Sequence, residues 1–366
     1  MQGPTKRYTN YPALKVDKLL SYPLLPSGGP TNDLHPATKQ YAESLISAAG
    51  FPTGYHGNAA PVYASATTFT LAKIYERDST DAQDITKTSS TTVDISTTGI
   101  NGIAQSANLT GTVAVTSGAA TVTGTSTTFT TDFQVGDVIF IGDTSEARRI
   151  TVITNNTSIT VESNWGATDA SSTYRRGGRA PSTHYYLYAI SDGATPGLIL
   201  SARNVAGGDT LVSLPSGYTY YRQMPFSIRT TTSTPNIQPF FIGAGWPVRP
   251  EVFYQLDFAR ANQAANTTEV LSGGTQTSFT DIDCSAFIPK ISRYGIFYAS
   301  QSTSGTIANL RPNGSTLSVG HQQVFSSAND TKIMNCQTDA SQIIEYLVGS
   351  NSLDVSVFGY VVTEVI

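Results

Sequence analysis

The sequence is poor in charge. Only 13% of its 366 residues are Asp, Glu, Lys or Arg, about half of the roughly 25% in an average soluble domain. The 22 basic and 26 acidic residues leave a net charge of −4, so no electrostatic footprint points to nucleic acid as a partner. Cysteine is nearly absent. Cys284 and Cys336 are too few for a disulfide scaffold and lack the paired spacing of a zinc site, so they read as free, partly buried thiols in strands. The four histidines, His35, His56, His184 and His321, lie far apart with no second ligand at metal spacing, and read as solvated or core residues. No apolar run approaches the roughly 18 residues of a spanning helix, so no membrane insertion is expected. The start, Met1 to Arg7, leads into tyrosines and prolines with no continuous apolar core, so neither a secretory signal nor a targeting helix is expected.

Chemical motifs are equally sparse. There is no G-x-S-x-G elbow, P-loop or dinucleotide fingerprint, and Gly243-Ala244-Gly245 runs into Trp246-Pro247, which cannot open a helix onto a phosphate. Asp78, Asp81 and Asp84 form a carboxylate series that fails the EF-hand spacing; a solvated loop is the simpler reading, a fortuitous calcium site the other. Asp281 and Asp283 alternate on one strand face and would suit a glycan-cleaving carboxylate pair, but the long parallel β-helix repeat of such depolymerases is missing. The expectation is therefore no enzyme activity, no cofactor and no metal.

What is present is Ser, Thr, Gly and Asn in abundance, with 39% hydrophobic and 10% aromatic residues. That balance excludes disorder and suits a β-rich body whose surface is hydroxyl and amide. The length calls for two or three domains. The one convincing helix is Thr31 to Gly50. Pro36 suits its first turn, Asn32 or Asp33 its cap, and Gly50 with Pro52 its end. Ala37, Tyr41, Leu45 and Ala48 make a narrow apolar stripe, too thin for burial in a large core. So short a helix needs a partner, either the same helix of another copy or its own β domain. Before it, residues 1–30 carry Pro4, Pro12, Pro23, Pro26 and Pro30 with the anchors Tyr8, Tyr11, Leu14, Leu19, Leu20 and Tyr22. An extended, apolar arm of this kind docks in a groove on another protein, unless it wraps its own β domain. Lys6, Arg7, Lys15 and Lys18 against Asp17 alone suit an acidic dock.

From Ala66 the pattern turns to short strands bounded by Gly, Asp, Asn and Pro: Phe69–Leu71, Val93–Ile95, Tyr185–Ile190 and Leu198–Leu200. Residues 111–174 interrupt them with a Thr/Val/Ile-rich insertion. Val138–Ile141 and Ile150–Ile153 read as strands, and Asn155-Asn156 as a tight turn before Ile159 and Val161. Pro215 and Gly217 set a turn that presents Tyr218. Arg222 is placed to cover an aromatic or to reach a carboxylate across a subunit boundary.

Several of these segments resemble phage proteins. Asn32-Asp33, Ala37-Thr38-Lys39-Gln40-Tyr41 and Ser44 are similar to the linker helix of tail-fibre proteins of tailed bacteriophages, which implies a parallel homotrimer. Thr121 to Ser163 resembles a small β module that recurs inside phage structural proteins and projects from a scaffold. Leu214 to Arg222, with Ile228-Arg229, Pro239-Phe240-Phe241 and upstream Ser90 to Asn101, is similar to a β domain of such fibres. Phe287-Ile288-Pro289, Arg311 to Ser315, Ser341 to Tyr346 and Val357 to Val361 resemble the C-terminal β-sandwich knob of fibre and receptor-binding proteins.

The resulting expectation is an all-β fold: an attachment arm (1–30), a trimerising helix (31–50), a split central β domain (51–110 and 175–263), an inserted β module (111–174) and a C-terminal knob (264–366). The resemblance implies a trimeric tail fibre of a tailed-phage virion, assembled in the host cytoplasm and released by lysis. Its partners would be other virion proteins, tail or adaptor, through the arm, and a host glycan or protein receptor through the distal domains. A head fibre or capsid decoration protein is the alternative. A secreted adhesin would need an export signal, and a capsule depolymerase is the enzymatic alternative.

Overall fold

The structure is a computed structural model. It describes residues 58–362 apart from 206–208, 210–213, 233, 244–245, 247–249, 256–267, 302–305, 319, 326–329 and 350–351. The arm, the 31–50 helix and the residues that define them (Tyr8, Tyr11, Leu14, Leu19, Leu20, Tyr22, Ala37, Tyr41, Leu45 and Ala48) lie outside the described residues. So do His35 and His56.

The described body is all-β, with 26 strands and one four-residue helix. It opens with β1 (Val62–Tyr63), β2 (Thr68–Leu71), β3 (Ile74–Arg77), β4 (Asp84–Lys87), β5 (Thr91–Asp94) and β6 (Gly102–Ile103). β1, β2 and β5 form one small antiparallel sheet, and β3 with β4 a hairpin. Alternation sets which side is buried: Phe69 and Leu71 of β2 and Ile74 of β3 are fully buried, while their neighbours are only half so.

Residues 112–176 form a seven-stranded sheet in the order β12-β7-β8-β11-β10-β9-β13. Its members are β7 (Thr112–Val115), β8 (Thr121–Thr125), β9 (Val138–Ile141), β10 (Glu146–Asn155), β11 (Ser158–Val161), β12 (Asp169–Ser172) and β13 (Tyr174–Arg176), with helix α1 (Phe129–Asp132) between β8 and β9. The sheet closes over its own apolar cluster, in which Trp165, Tyr174, Phe129 and Ile150 are fully buried. Phe129 meets Tyr174 edge to face at 5.7 Å, and the Tyr174 hydroxyl donates to the Thr110 carbonyl at 2.7 Å.

The chain then returns to the scaffold as β14 (His184–Ser191), β15 (Pro196–Ser201) and β16 (Tyr220–Arg229), which with β6 make a four-stranded sheet in the order β16-β14-β15-β6. β14 and β15 are buried along almost their whole lengths, which is why both read as unbroken apolar runs and not as alternating ones. Between β15 and β16, the Tyr218 amide donates to the Pro215 carbonyl at 3.0 Å across a turn in which Gly217 takes φ +88°, as the Pro-Ser-Gly-Tyr order predicts.

The last strands are β17 (Phe240–Ile242), β18 (Glu251–Tyr254), β19 (Glu269–Gly274), β20 (Thr280–Asp283), β21 (Ser292–Gln301), β22 (Thr306–Pro312), β23 (His321–Phe325), β24 (Thr331–Gln337), β25 (Ile343–Val348) and β26 (Leu353–Val362). One sheet runs β17-β18-β26-β21-β24 with β19 also on β26, and another β20-β25-β22-β23. β17 and β18, from the stretch grouped by sequence with the split central domain, join the C-terminal sheet here. The apolar core is continuous across them, from Phe69 through Phe226 and Phe240 to Tyr360. Tyr254 donates to the Phe287 carbonyl at 2.6 Å, and the hydroxyls of Ser227 and Tyr360 share a hydrogen bond at 3.0 Å.

Two devices seat the inserted sheet on the scaffold. Val138 of β9 and Ala147 of β10 reach into the main core. Asp137, 1% exposed, takes a two-pronged ion pair from Arg203, with Nε to Oδ1 at 2.7 Å and Nη2 to Oδ2 at 2.6 Å.

Candidate functional site

Where the inserted sheet, the four-stranded sheet and the C-terminal segment meet, a cleft of about 670 Å³ opens. Its walls come from Gln134 to Gly136 and Arg149 of the insertion, from Ser182, Thr183, His184 and Arg229 of the scaffold, and from Ser285 to Lys290 with Ser341 and Gln342. A neighbouring groove of about 350 Å³ beside Arg148 shares Thr232 with it.

The strand register builds the floor. His184 stands opposite Arg229 at the end of the β14–β16 ladder, so an imidazole and a guanidinium are fixed on one sheet. Arg229 is 3% exposed. Its Nε donates to the Ala286 carbonyl at 2.6 Å and Nη1 to the Thr230 carbonyl at 3.1 Å, and the guanidinium lies 4.1 Å from the Phe287 ring centroid. No carboxylate pairs with it among the described residues. Burial, together with the like charge of Arg149, pulls its pKa below the usual guanidinium value, against Tyr254 and Glu162, yet the group stays cationic.

His184 answers to the same surroundings. Both ring nitrogens are shut off from solvent without a well-formed hydrogen bond. Burial first, then the charges of Arg229 and Arg149, hold its pKa down to about 3, with the Ala286 carbonyl pulling weakly the other way. It is therefore a neutral imidazole at neutral pH. Asn204, 1% exposed, accepts at Oδ1 from Gln223 at 2.7 Å while its Nδ2 has no partner. Its amide is held by Asp209 at 2.8 Å. Arg149 pairs with Glu162 at 2.9 Å, and burial lifts the Glu162 carboxyl above its ordinary range despite that pairing. Lys290 is exposed, and its amide donates to the Tyr186 hydroxyl at 3.2 Å. The lining thus carries three cations, Arg149, Arg229 and Lys290, against one carboxylate, Asp209. Ser182 and Gln342, at its rim, are two of the six non-glycine residues with positive φ among the described residues.

The residues singled out by sequence fall differently. His184, expected to be a solvated or core residue, has both ring nitrogens buried and also lines the cleft. His321 lies on β23, bound to Asn335 and Gln323, away from the cleft. The Asp78 to Asp84 series forms a self-satisfied turn. Asp78 accepts from the amides of Thr80 at 3.0 Å and Gln83 at 2.6 Å, Asp84 pairs with Arg77 at 3.2 Å and Asp81 with Arg222 at 3.1 Å. Arg222 therefore finds its carboxylate within the same chain. Among the described residues no three His, Cys, Asp or Glu converge as metal ligands. Asp281 and Asp283 face solvent on β20 and do not line the cleft. Cys284 and Cys336 are buried free thiols; burial pushes Cys336 up to about 12 and raises Cys284 as well. Sequence reasoning missed Arg149, Lys290, Asn204 and Asp137. The one signal available was an arginine, Arg229, closing the largely apolar run Met224 to Ile228.

A second surface feature is apolar. On the outer face of the β17 sheet, Phe241 stacks on Phe253 with centroids 4.9 Å apart, and Phe358 closes on Phe253 at 5.2 Å. Phe241 is 48% exposed. Val324 on β23, opposite Ile307 on β22, and Ile333 on β24 are exposed as well.

Among the described residues no helix is long and apolar enough to cross a membrane. No protein-family model matches the chain, and no curated protein matches it.

Proposed function

We propose that this chain is a structural component of a tailed-phage virion, a trimeric tail fibre that attaches by its N-terminus and contacts the host surface through its distal β domains. The observation that carries the reading is architectural. A sheet with its own core is set into a larger all-β body that is hydroxyl-rich and low in charge, and the segments around it resemble fibre sequences. Such a body displays surface, and among the described residues no three His, Cys, Asp or Glu converge as metal ligands. The proline-rich, apolar sequence of residues 1–30 suits the anchor a docking end requires, and the exposed Phe241, Val324 and Ile333 side chains suit association of copies. In a trimer, weak single contacts with a receptor would add through effective concentration.

The test is electron microscopy of intact particles labelled with an antibody against residues 270–366. Label at fibre tips beneath the head is the expected result. Label spread over the head would replace this reading with a head fibre or capsid decoration protein. Sedimentation of the purified chain as a monomer at micromolar concentration would remove the trimer.

A further inference from the structure

We propose that the cleft floored by His184 and Arg229 binds an acidic saccharide, a sugar chain bearing carboxylates, with Arg229 and Lys290 meeting the charge and Asn204 and His184 the hydroxyls. The inference rests on the adhesion reading and supplies its ligand class.

Arg229 is the starting point. A guanidinium withdrawn from water without a counter-ion is costly to the fold, and an entering carboxylate relieves that cost. The group is held ready, with two of its nitrogens engaged by the Ala286 and Thr230 carbonyls and one face on Phe287, so little order is lost on binding. Lys290 has no ion pair among the described residues and stands at the rim, where it steers an anion. With Arg149 already paired to Glu162, the lining leaves Arg229 and Lys290 against Asp209, a local excess of positive charge in a chain of net charge −4.

The rest of the lining selects a sugar. Asn204 leaves a buried N–H pair unused, and neutral His184 offers one donor and one acceptor, neither in a well-formed hydrogen bond. Groups of this kind lose affinity when left unpaired and gain it from hydroxyls placed opposite them. The volume of about 670 Å³ lies within the range of small-molecule sites and far exceeds a lone phosphate. An acidic peptide fits less well, since Phe287 and Ile288 are 6% and 1% exposed and present no open apolar pocket for side chains.

The experiment is calorimetric titration of the purified full chain with uronate-containing and sialylated oligosaccharides, each beside its carboxyl-reduced partner, and with inorganic phosphate as competitor. At least one acidic member is expected to bind about tenfold or more tightly than its reduced form. Lys290→Glu is expected to weaken that binding by about tenfold or more, and Arg229→Gln to abolish it. Lys290 is exposed and has no ion pair among the described residues, so its variant keeps the test open should Arg229→Gln fail to fold. No binding by any acidic member at millimolar concentration, equal binding of the reduced forms, full displacement by phosphate, or an unchanged affinity in Lys290→Glu would each overturn the proposal. Sugar binding by the chain alongside unaltered adhesion of particles carrying Lys290→Glu would leave the site standing and remove the adhesion reading instead.

Discussion

His184 shows how one residue's surroundings set a measurable property of the whole protein. Its imidazole is kept neutral by burial and by Arg229 and Arg149, with a folded pKa of about 3 against an unfolded value of about 6.5. Between those values the unfolded chain binds the proton and the folded one does not. The associated stability is complete above about pH 6.5 and is lost as pH falls toward 3, at about 1.4 kcal/mol per pH unit. His184→Gln removes that proton. Between pH 6 and 4.5 the slope of unfolding free energy against pH, measured by urea denaturation, is expected to flatten by about that amount. The carboxylates whose pKa values the fold lowers, Asp78, Asp94, Asp192 and Asp339, act lower on the scale and remain in both proteins. An identical slope in the variant would mean that His184 is protonated in the folded state.

At the scale of elements, the join between insertion and scaffold depends on Gly177, directly after β13. It takes φ +100°, its amide donates to the Val138 carbonyl at 2.8 Å, and an added Cβ would collide with the Ala104 carbonyl oxygen. Gly177→Ala is expected to cost about 1–3 kcal/mol from the backbone conformation alone, with the overlap adding to it, seen as a lowered denaturation midpoint. A midpoint within error of the parent would mean that the join can shift.

The strands themselves were legible from the sequence. Val138–Ile141, Tyr185–Ile190 and Ile159 with Val161 alternate or run apolar as their burial demands, and Asn155-Asn156 turns where β10 meets β11. Period and turn chemistry are local properties, which is why they could be read. The cleft was not legible, because it is made of residues far apart in sequence, such as Arg149, Arg229 and Lys290, which only the packing of three sheets brings together. The membership of β17 and β18 in the C-terminal sheet was hidden for the same reason. The pairing of Val252 with Tyr360 spans too much chain for any local pattern to record.

At the scale of the whole molecule, two apolar cores must be held against each other. Trp165 and Tyr174 centre one core and Phe226 and Phe297 the other. Besides Val138, Phe140 and Ala147 and the close approach at Gly177, the cores are linked by the buried Asp137–Arg203 pair. Removing Asp137 leaves the Arg203 guanidinium buried without this carboxylate, and Asp137→Ala is expected to destabilise by about 3–5 kcal/mol. Replacing both, Asp137→Leu with Arg203→Met, exchanges two desolvated charges for apolar contact and is expected to recover most of that loss. Within the insertion the Asp137 side chain holds the Gln134 amide at 2.9 Å and does not belong to the sheet's own apolar core, so most of the cost of Asp137→Ala falls on docking. Hydrogen exchange should therefore show protection lost first around 202–205 and kept along β8 and β11. If the single variant stays within about 1 kcal/mol of the parent, or β8 and β11 lose protection together with 202–205, the ion pair is not what joins the two cores. The cleft walls come from both sides of that join, through Arg149 and Val135 on one and Arg229 and Lys290 on the other. Asp137→Ala is accordingly expected to weaken the binding of any saccharide that Lys290→Glu weakens, although Asp137 does not line the cleft.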